Sequence, residues 1–322
     1  MTRRVAPRLR LVLSVTASAG IFWAILRFIG ESRGSRAAAA FEPGWASAAV
    51  ALSSLQLAIV TLRWTFFARA LTAPLSYGAA LGAYYVSTCL NQLLPFGLLG
   101  DAWRGFWHAR RFSAAAAAGT RPALAAAMAL ILDRASGQLV SLALIVAVLP
   151  LWWQPLRSAL SGLRISFAPS GALLALAVAL LVYFGRSLLR RTARVRSIFF
   201  RPGSLAVHGA CSALAVFTHV AGFYCAARAL GLDLPFALAL RVVPVVLVAS
   251  ALPSLAFGMG AREAVAAALY HLLGLRAADG AEIALATGLL GFVASSPGLL
   301  VLALAGRNAR ASNDALSHSN GP

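Results

Sequence analysis

The chain has no lysine, and only nine acidic residues stand against 28 basic ones, all of them arginine. Charged residues fill 11% of the 322 positions and hydrophobic ones 60%, with mean hydropathy +0.81. A soluble domain carries about 25% charged residues, so this chain has too few to cover a water-facing surface. That scarcity excludes a soluble enzyme, a disordered chain and a nucleic-acid-binding domain, even at a net charge of +19. Cysteine is sparse as well. Cys89, Cys211 and Cys225 lie in apolar stretches without metal-ligand spacing and read as small buried hydrophobes. A Walker A loop, an HExxH pair, a nucleophile elbow and paired His/Cys ligands are all missing. ATP-driven pumping by this chain alone is therefore not expected, and neither is a metal, a cofactor or an enzymatic activity.

What the chain has is long apolar runs. A spanning helix needs about 20 mostly apolar residues. Runs 11–29, 46–68, 123–149, 169–184, 204–229 and 281–305 qualify. Two more, 75–99 and 235–273, are broken by proline and glycine. A cleaved signal peptide is the rival reading of the first run, from its basic start and Ala17-Ser18-Ala19, but the apolar stretch continues past that point to Ile29.

Arginine sets the orientation, because basic loops stay on the cytoplasmic side. The start (Arg3, Arg4, Arg8, Arg10), the segment with Arg104, Arg110, Arg111 and Arg121, the loop from Arg186 to Arg201, and the end at Arg307 and Arg310 are all basic and read as inside. Loop 30–44, where Glu31 and Glu42 offset Arg33 and Arg36, reads as outside. Each broken run then starts and ends on one side, 75–99 inside and 235–273 outside. Both are expected to be re-entrant helix pairs entering from opposite faces. Trp152 and Trp153 are expected at an interface, as is the aromatic and basic cluster around His108. Arg63 and Arg69 are expected to snorkel to the cytoplasmic surface.

An inverted repeat follows from that topology, and the residues echo it. Ala68-Arg69-Ala70-Leu71 recurs as Ala227-Arg228-Ala229-Leu230, 159 positions later, and Leu94-Pro95 as Leu252-Pro253, at an offset of 158. The expected fold class is all-α: a polytopic membrane bundle of two inverted halves, about 10–160 and 161–306, in one domain spanning 1–310, with a disordered tail at 311–322. Inverted repeats with helices broken near mid-membrane are how many transporters build a substrate site.

The chemistry sits at the breaks. Pro95, Gly97 and Gly100 interrupt the first segment, and Pro253, Gly258 and Gly260 the second. Ionisable groups at membrane depth cost about 2.5–3.5 kcal/mol each, so Asp101, Arg104, Asp133, Arg134, Arg262 and Glu263 require a reason. Asp133 lies ten residues into its span, roughly 15 Å deep. Three acids and three arginines balance to zero, which suits mutual pairing. Two readings stand: the pairs only lock the bundle, or Arg104, Arg134 and Arg262 hold a lipid phosphate while Asp101, Asp133 and Glu263 orient them or receive a cationic head group. The planar guanidinium fork suits phosphate. His208, His219 and His271 read as packing histidines rather than proton relays.

These motifs taken together are similar to one family. Asn91-x-x-Leu94-Pro95, Gly100-Asp101-x-x-Arg104, Asp133-Arg134, Leu252-Pro253, Gly258-x-Gly260-x-Arg262-Glu263 and Ser296-Pro297-Gly298 resemble the lysylphosphatidylglycerol synthase transmembrane region family, related to the flippase part of the multiple peptide resistance factor. Asp133 stands where that family often has Glu, and Phe96 where it often has a polar or basic residue. Arginine placement gives both termini as cytoplasmic in a multi-pass protein of the inner (plasma) membrane, and the resemblance implies movement of a phospholipid or glycolipid between leaflets, its head group anionic or zwitterionic, with aminoacylated and glycosylated ones among the candidates. Asn91 joins the six charged residues as substrate-binding. The 17 residues after Ala305 leave no room for the soluble aminoacyltransferase of the two-part members. A separately encoded lipid-synthesis enzyme and a second copy of the chain are the partners this implies; nucleic acid is not one. The alternatives are a membrane-embedded lipid-modifying transferase, with Asp133 or Glu263 as base, and a non-transporting assembly partner.

Overall fold

Apolar runs with no strand alternation fold as helices. The computed structural model describes residues 41–94, 99–113, 122–154, 157, 193–250 and 260–303. Over these it is all-helical: α1 (Pro43–Ala70), α2 (Tyr77–Leu93), α3 (Leu99–Ser113), α4 (Pro122–Val148) with a 3-10 turn Leu149–Trp152, α5 (Ala193–Phe200), α6 (Pro202–Ala229), α7 (Phe236–Ala249), α8 (Ala261–Leu272) and α9 (Ala277–Ser295). Proline opens α1, α4 and α6, where its missing N–H would be unpaired anyway. The 28 residues of α1 or α6 span roughly 42 Å, enough for a hydrocarbon core of about 30 Å.

Four described helices are long and apolar enough to cross a membrane: α1, α4 with its 3-10 turn, α6 and α9. They are apolar all round. Inner faces pack on one another, while Leu55 and Leu62 on α1 and Leu205, Leu214 and Phe217 on α6 stay exposed, as helices facing lipid do. The runs at 11–29 and 169–184, the tail, and the break residues Pro95, Gly97, Pro253 and Gly258 lie outside the described residues.

The last run differs from expectation. In place of one span over 281–305, α9 ends at Ser295, the chain turns at Ser296, and 297–303 is helical again. Pro297 lacks the N–H that would continue the ladder. At Gly298 a Cβ would sit 2.5 Å from the Tyr85 carbonyl of α2, so the backbones meet directly.

Both broken segments form helix pairs. α2 and α3 fold against each other at Gly100, where any side chain would collide with the Ser87 carbonyl. The Gly100 N–H donates to Asn91 Oδ1 at 2.8 Å. α7 and α8 form the second pair, and Gly260, at φ +116°, precedes α8.

The two sets of elements share their construction. α1 and α6 start 159 residues apart, and so do α2 and α7. Each long helix closes with the same corner: Thr72 and Gly231 are left-handed, at φ 60° and 69°. The bonds Ala73 N–H to Ala68 O and Leu232 N–H to Ala227 O, 2.8 and 3.0 Å, correspond at that same offset. α1 and α6 pack antiparallel, since Glu42 N–H donates to Ala229 O at one end and Arg63 meets Ser212 further along.

Candidate functional site

The faces of seven described helices converge on a cavity of about 340 Å³. Helical spacing selects the lining: Gln56, Val60 and Arg63 on α1; Tyr84, Thr88, Asn91 and Gln92 on α2; Arg134, Gln138 and Ser141 on α4; Ser212, Val216 and His219 on α6. Leu247 of α7, Arg262 of α8, and Thr287, Gly288 and Gly291 of α9 complete it, with Ser250 just beyond α7. Residues beside both breaks, Asn91 and Gln92 on one and Ser250 and Arg262 on the other, therefore face the same space.

A chain of ion pairs forms one wall. Arg63 Nε donates to Asp133 Oδ1 at 2.8 Å. Arg104 Nη2 donates to both Asp133 Oδ2 and Asp101 Oδ1 at 3.2 Å. Arg134 Nη2 pairs with Asp101 Oδ2. Further donors fill the carboxylates: Tyr84 OH to Asp133 at 3.2 Å, Ser87 Oγ to Asp101 at 3.3 Å and Asn91 Nδ2 to Asp101 at 3.2 Å. Arg104 is 0% exposed, and its Nε and Nη1 have no hydrogen-bond partner among the described residues. Its guanidinium lies instead over the rings of Tyr84 and Trp64, 4.0 and 4.6 Å from their centroids, where the π faces meet the charge.

The opposite wall carries Arg262. Its Nε and Nη2 donate to Glu263 Oε1 at 3.0 and 2.6 Å. Glu263 Oε2 accepts the Gly260 N–H at 2.6 Å. The guanidinium rests on α9 at Gly288, where a Cβ would collide with it. Gly137 likewise leaves room for Arg63, whose Nη1 would be 3.1 Å from a Cβ there.

The candidates thus divide. Asn91, Arg134 and Arg262 face the cavity. Asp101, Arg104 and Asp133 stand behind them at 7%, 0% and 0% exposure, and Glu263 is committed to Arg262. Arg104 is an internal brace here, not a group that reaches a ligand. Arg63 is the principal correction. It does not snorkel: it is 5% exposed, bonded to Asp133 and Ser212, and part of the lining. It sits seven residues before the end of α1, about 10 Å from it, and Trp64 and Phe67 on the same stretch are buried. That depth was the available signal. With Arg63 counted, four arginines meet three carboxylates, and one positive charge is left over.

The histidines separate as well. His108, expected at an interface, is 0% exposed, with Nε2 donating to Ala73 O at 2.9 Å. Trp152 is also buried, whereas Trp153 is 44% exposed. His208 is a packing residue: Nε2 donates to Phe199 O at 2.9 Å, which leaves Nδ1 to accept from Ser136 at 2.8 Å. His219 lines the cavity and donates to Gln56 Oε1 at 3.3 Å. His271 is exposed on α8.

Long apolar helices around an arginine-rich buried cavity define a polytopic helical membrane protein. The sequence profile described as the lysylphosphatidylglycerol synthase TM region matches residues 11–298. The chain belongs to that family and is a multi-pass membrane protein. Neither the curated proteins nor the solved structures hold a match to it.

Proposed function

We propose that this protein moves a lipid with an anionic or zwitterionic head group between leaflets, the head passing through the cavity while the tails stay in the bilayer. The observation that carries this reading is the pair of arginines, Arg134 and Arg262, facing one cavity from the two sets of helices with one positive charge uncompensated. The side chain of Arg134 is 48% exposed although its neighbours in the network are buried, so the guanidinium is available to a ligand. Such an exposed cation at membrane depth is costly without an anionic partner. The inner part of the network, Arg63–Asp133–Arg104, serves as the brace that holds it.

The two helix pairs are re-entrant in this reading and enter from opposite faces as inverted copies. The antiparallel packing of α1 on α6 supports that relation, because corresponding helices then run in opposite directions. Both termini are cytoplasmic at the inner membrane in this reading, which the placement of arginine supports. A separately encoded enzyme makes the lipid. Transport is favoured over lipid modification, because both carboxylates that could act as bases are already engaged: Asp133 by Arg63 and Arg104, Glu263 by Arg262.

The test is movement of a tail-labelled anionic phospholipid in proteoliposomes, read by quenching of the outer leaflet. Wild type should equilibrate the label, and Arg134→Met and Arg262→Met should slow it at least about tenfold, the effect of losing ~1.4 kcal/mol of binding. Variants that move lipid as fast as wild type would remove the site assignment.

A further inference from the structure

We infer that the cavity takes a phosphate-linked polyol head group, glycerol or a sugar, and rejects a head group carrying a primary amine. This rests on the transport reading above and names its substrate class. Arg134 and Arg262 line the space beside Arg63, with donors to spare. Among the described residues, Arg134 commits only Nη2, to Asp101, and Arg262 leaves Nη1 unused. Together they suit phosphate oxygens. Around them the lining is rich in uncharged polar groups. The side chains of Gln92, Gln138, Thr88 and Ser53 line the cavity and bond to no other described side chain or backbone group, so amide and hydroxyl donors and acceptors are available to a ligand's hydroxyls.

An ammonium group finds no counterpart among the described residues. None of the cavity-lining residues is a carboxylate. The three nearby acids are spent: Asp101 accepts from four side chains, Asp133 is fully buried between two arginines, and Glu263 is paired on both oxygens. A cation placed there would add to an existing positive excess with nothing to screen it, and the charge pattern itself selects against it. About 340 Å³ lies near the lower end of ligand pockets, roughly 300–1,000 Å³, a size for a head group and not for acyl chains.

The experiment uses the full chain in proteoliposomes with two tail-labelled probes, phosphatidylglycerol and its lysyl ester. We expect phosphatidylglycerol to cross at least about tenfold faster. A lysyl ester that crosses as fast or faster overturns this inference and leaves lipid transport standing, whereas a protein that moves neither lipid overturns both. Gln92→Glu adds the missing carboxylate with little change of shape. It should raise the lysyl-to-unmodified rate ratio by about tenfold, and an unchanged ratio counts against the inference even if wild type prefers phosphatidylglycerol. Radiolabelled glycerol 3-phosphate, tested for uptake in the same vesicles, separates a lipid from a soluble source of this chemistry. Exclusion of the soluble compound supports the lipid head group, and its uptake without lipid movement overturns it.

Discussion

Asp133→Asn tests the brace most directly. The carboxylate is 0% exposed and accepts from Arg63 at 2.8 Å, Arg104 at 3.2 Å and Tyr84 at 3.2 Å. The amide keeps the shape but removes the charge, leaving three arginines of the wall against Asp101 alone. Breaking a buried pair by removing one partner costs about 3–5 kcal/mol. At roughly 2 °C per kcal/mol, the lower end for larger chains, the melting midpoint should fall by about 6–10 °C. The protein supplies its own reporters: Cys89 and Cys225 are buried free thiols, so a thiol-reactive dye reads unfolding in detergent. The decisive comparison is Asp133→Asn combined with Arg63→Met, which restores the net charge of the wall to its original value. The double variant should melt above the single Asp133→Asn, with a coupling of about 0.5–3 kcal/mol. Additive losses, or an unchanged midpoint for Asp133→Asn, would refute the reasoning that these charges stabilise one another.

Two further predictions concern backbone contacts. Gly100→Ala should lower the midpoint and the folded yield, because the new methyl group meets the Ser87 carbonyl of the paired helix; backbone cannot yield as a side chain can, so a wild-type melting curve would contradict that close approach. Gly288→Ala meets only the end of the Arg262 side chain. It should leave the midpoint near wild type while slowing lipid movement about as much as Arg262→Met does, and normal transport by Gly288→Ala would show that the position of Arg262 does not matter.

How much was legible in the residues can be judged element by element. Hydropathy marked α1, α4 and α6 to within a few residues, since a long apolar run has no other way to satisfy its backbone in lipid. The expected breaks at Leu94-Pro95 and Leu252-Pro253 fall between α2 and α3 and between α7 and α8, whereas Pro244 lies inside α7 without ending it, so a proline's lost ladder bond does not by itself decide a break. The repeated Ala-Arg-Ala-Leu did mark a repeated corner, visible in the matched turns at Thr72 and Gly231. The last run was misjudged. Hydropathy does not sense that Gly298 must meet the α2 backbone, so the turn at Ser296 was invisible to it.

Composition and periodicity by themselves determined the class of protein, the spans α1, α4 and α6, and the residues too costly to be idle: Asp101, Arg104, Asp133, Arg134, Arg262 and Glu263. Only the tertiary structure decided which of these face the cavity and which stand behind. Pairing depends on which helix faces meet, and Arg63 shows why. On its own helix it is one more arginine near an end; only the packing of α1 against α4 and α6 puts it on Asp133 and Ser212. That contact turns a balanced set of charges into one with a positive excess, the physical basis for an anionic ligand.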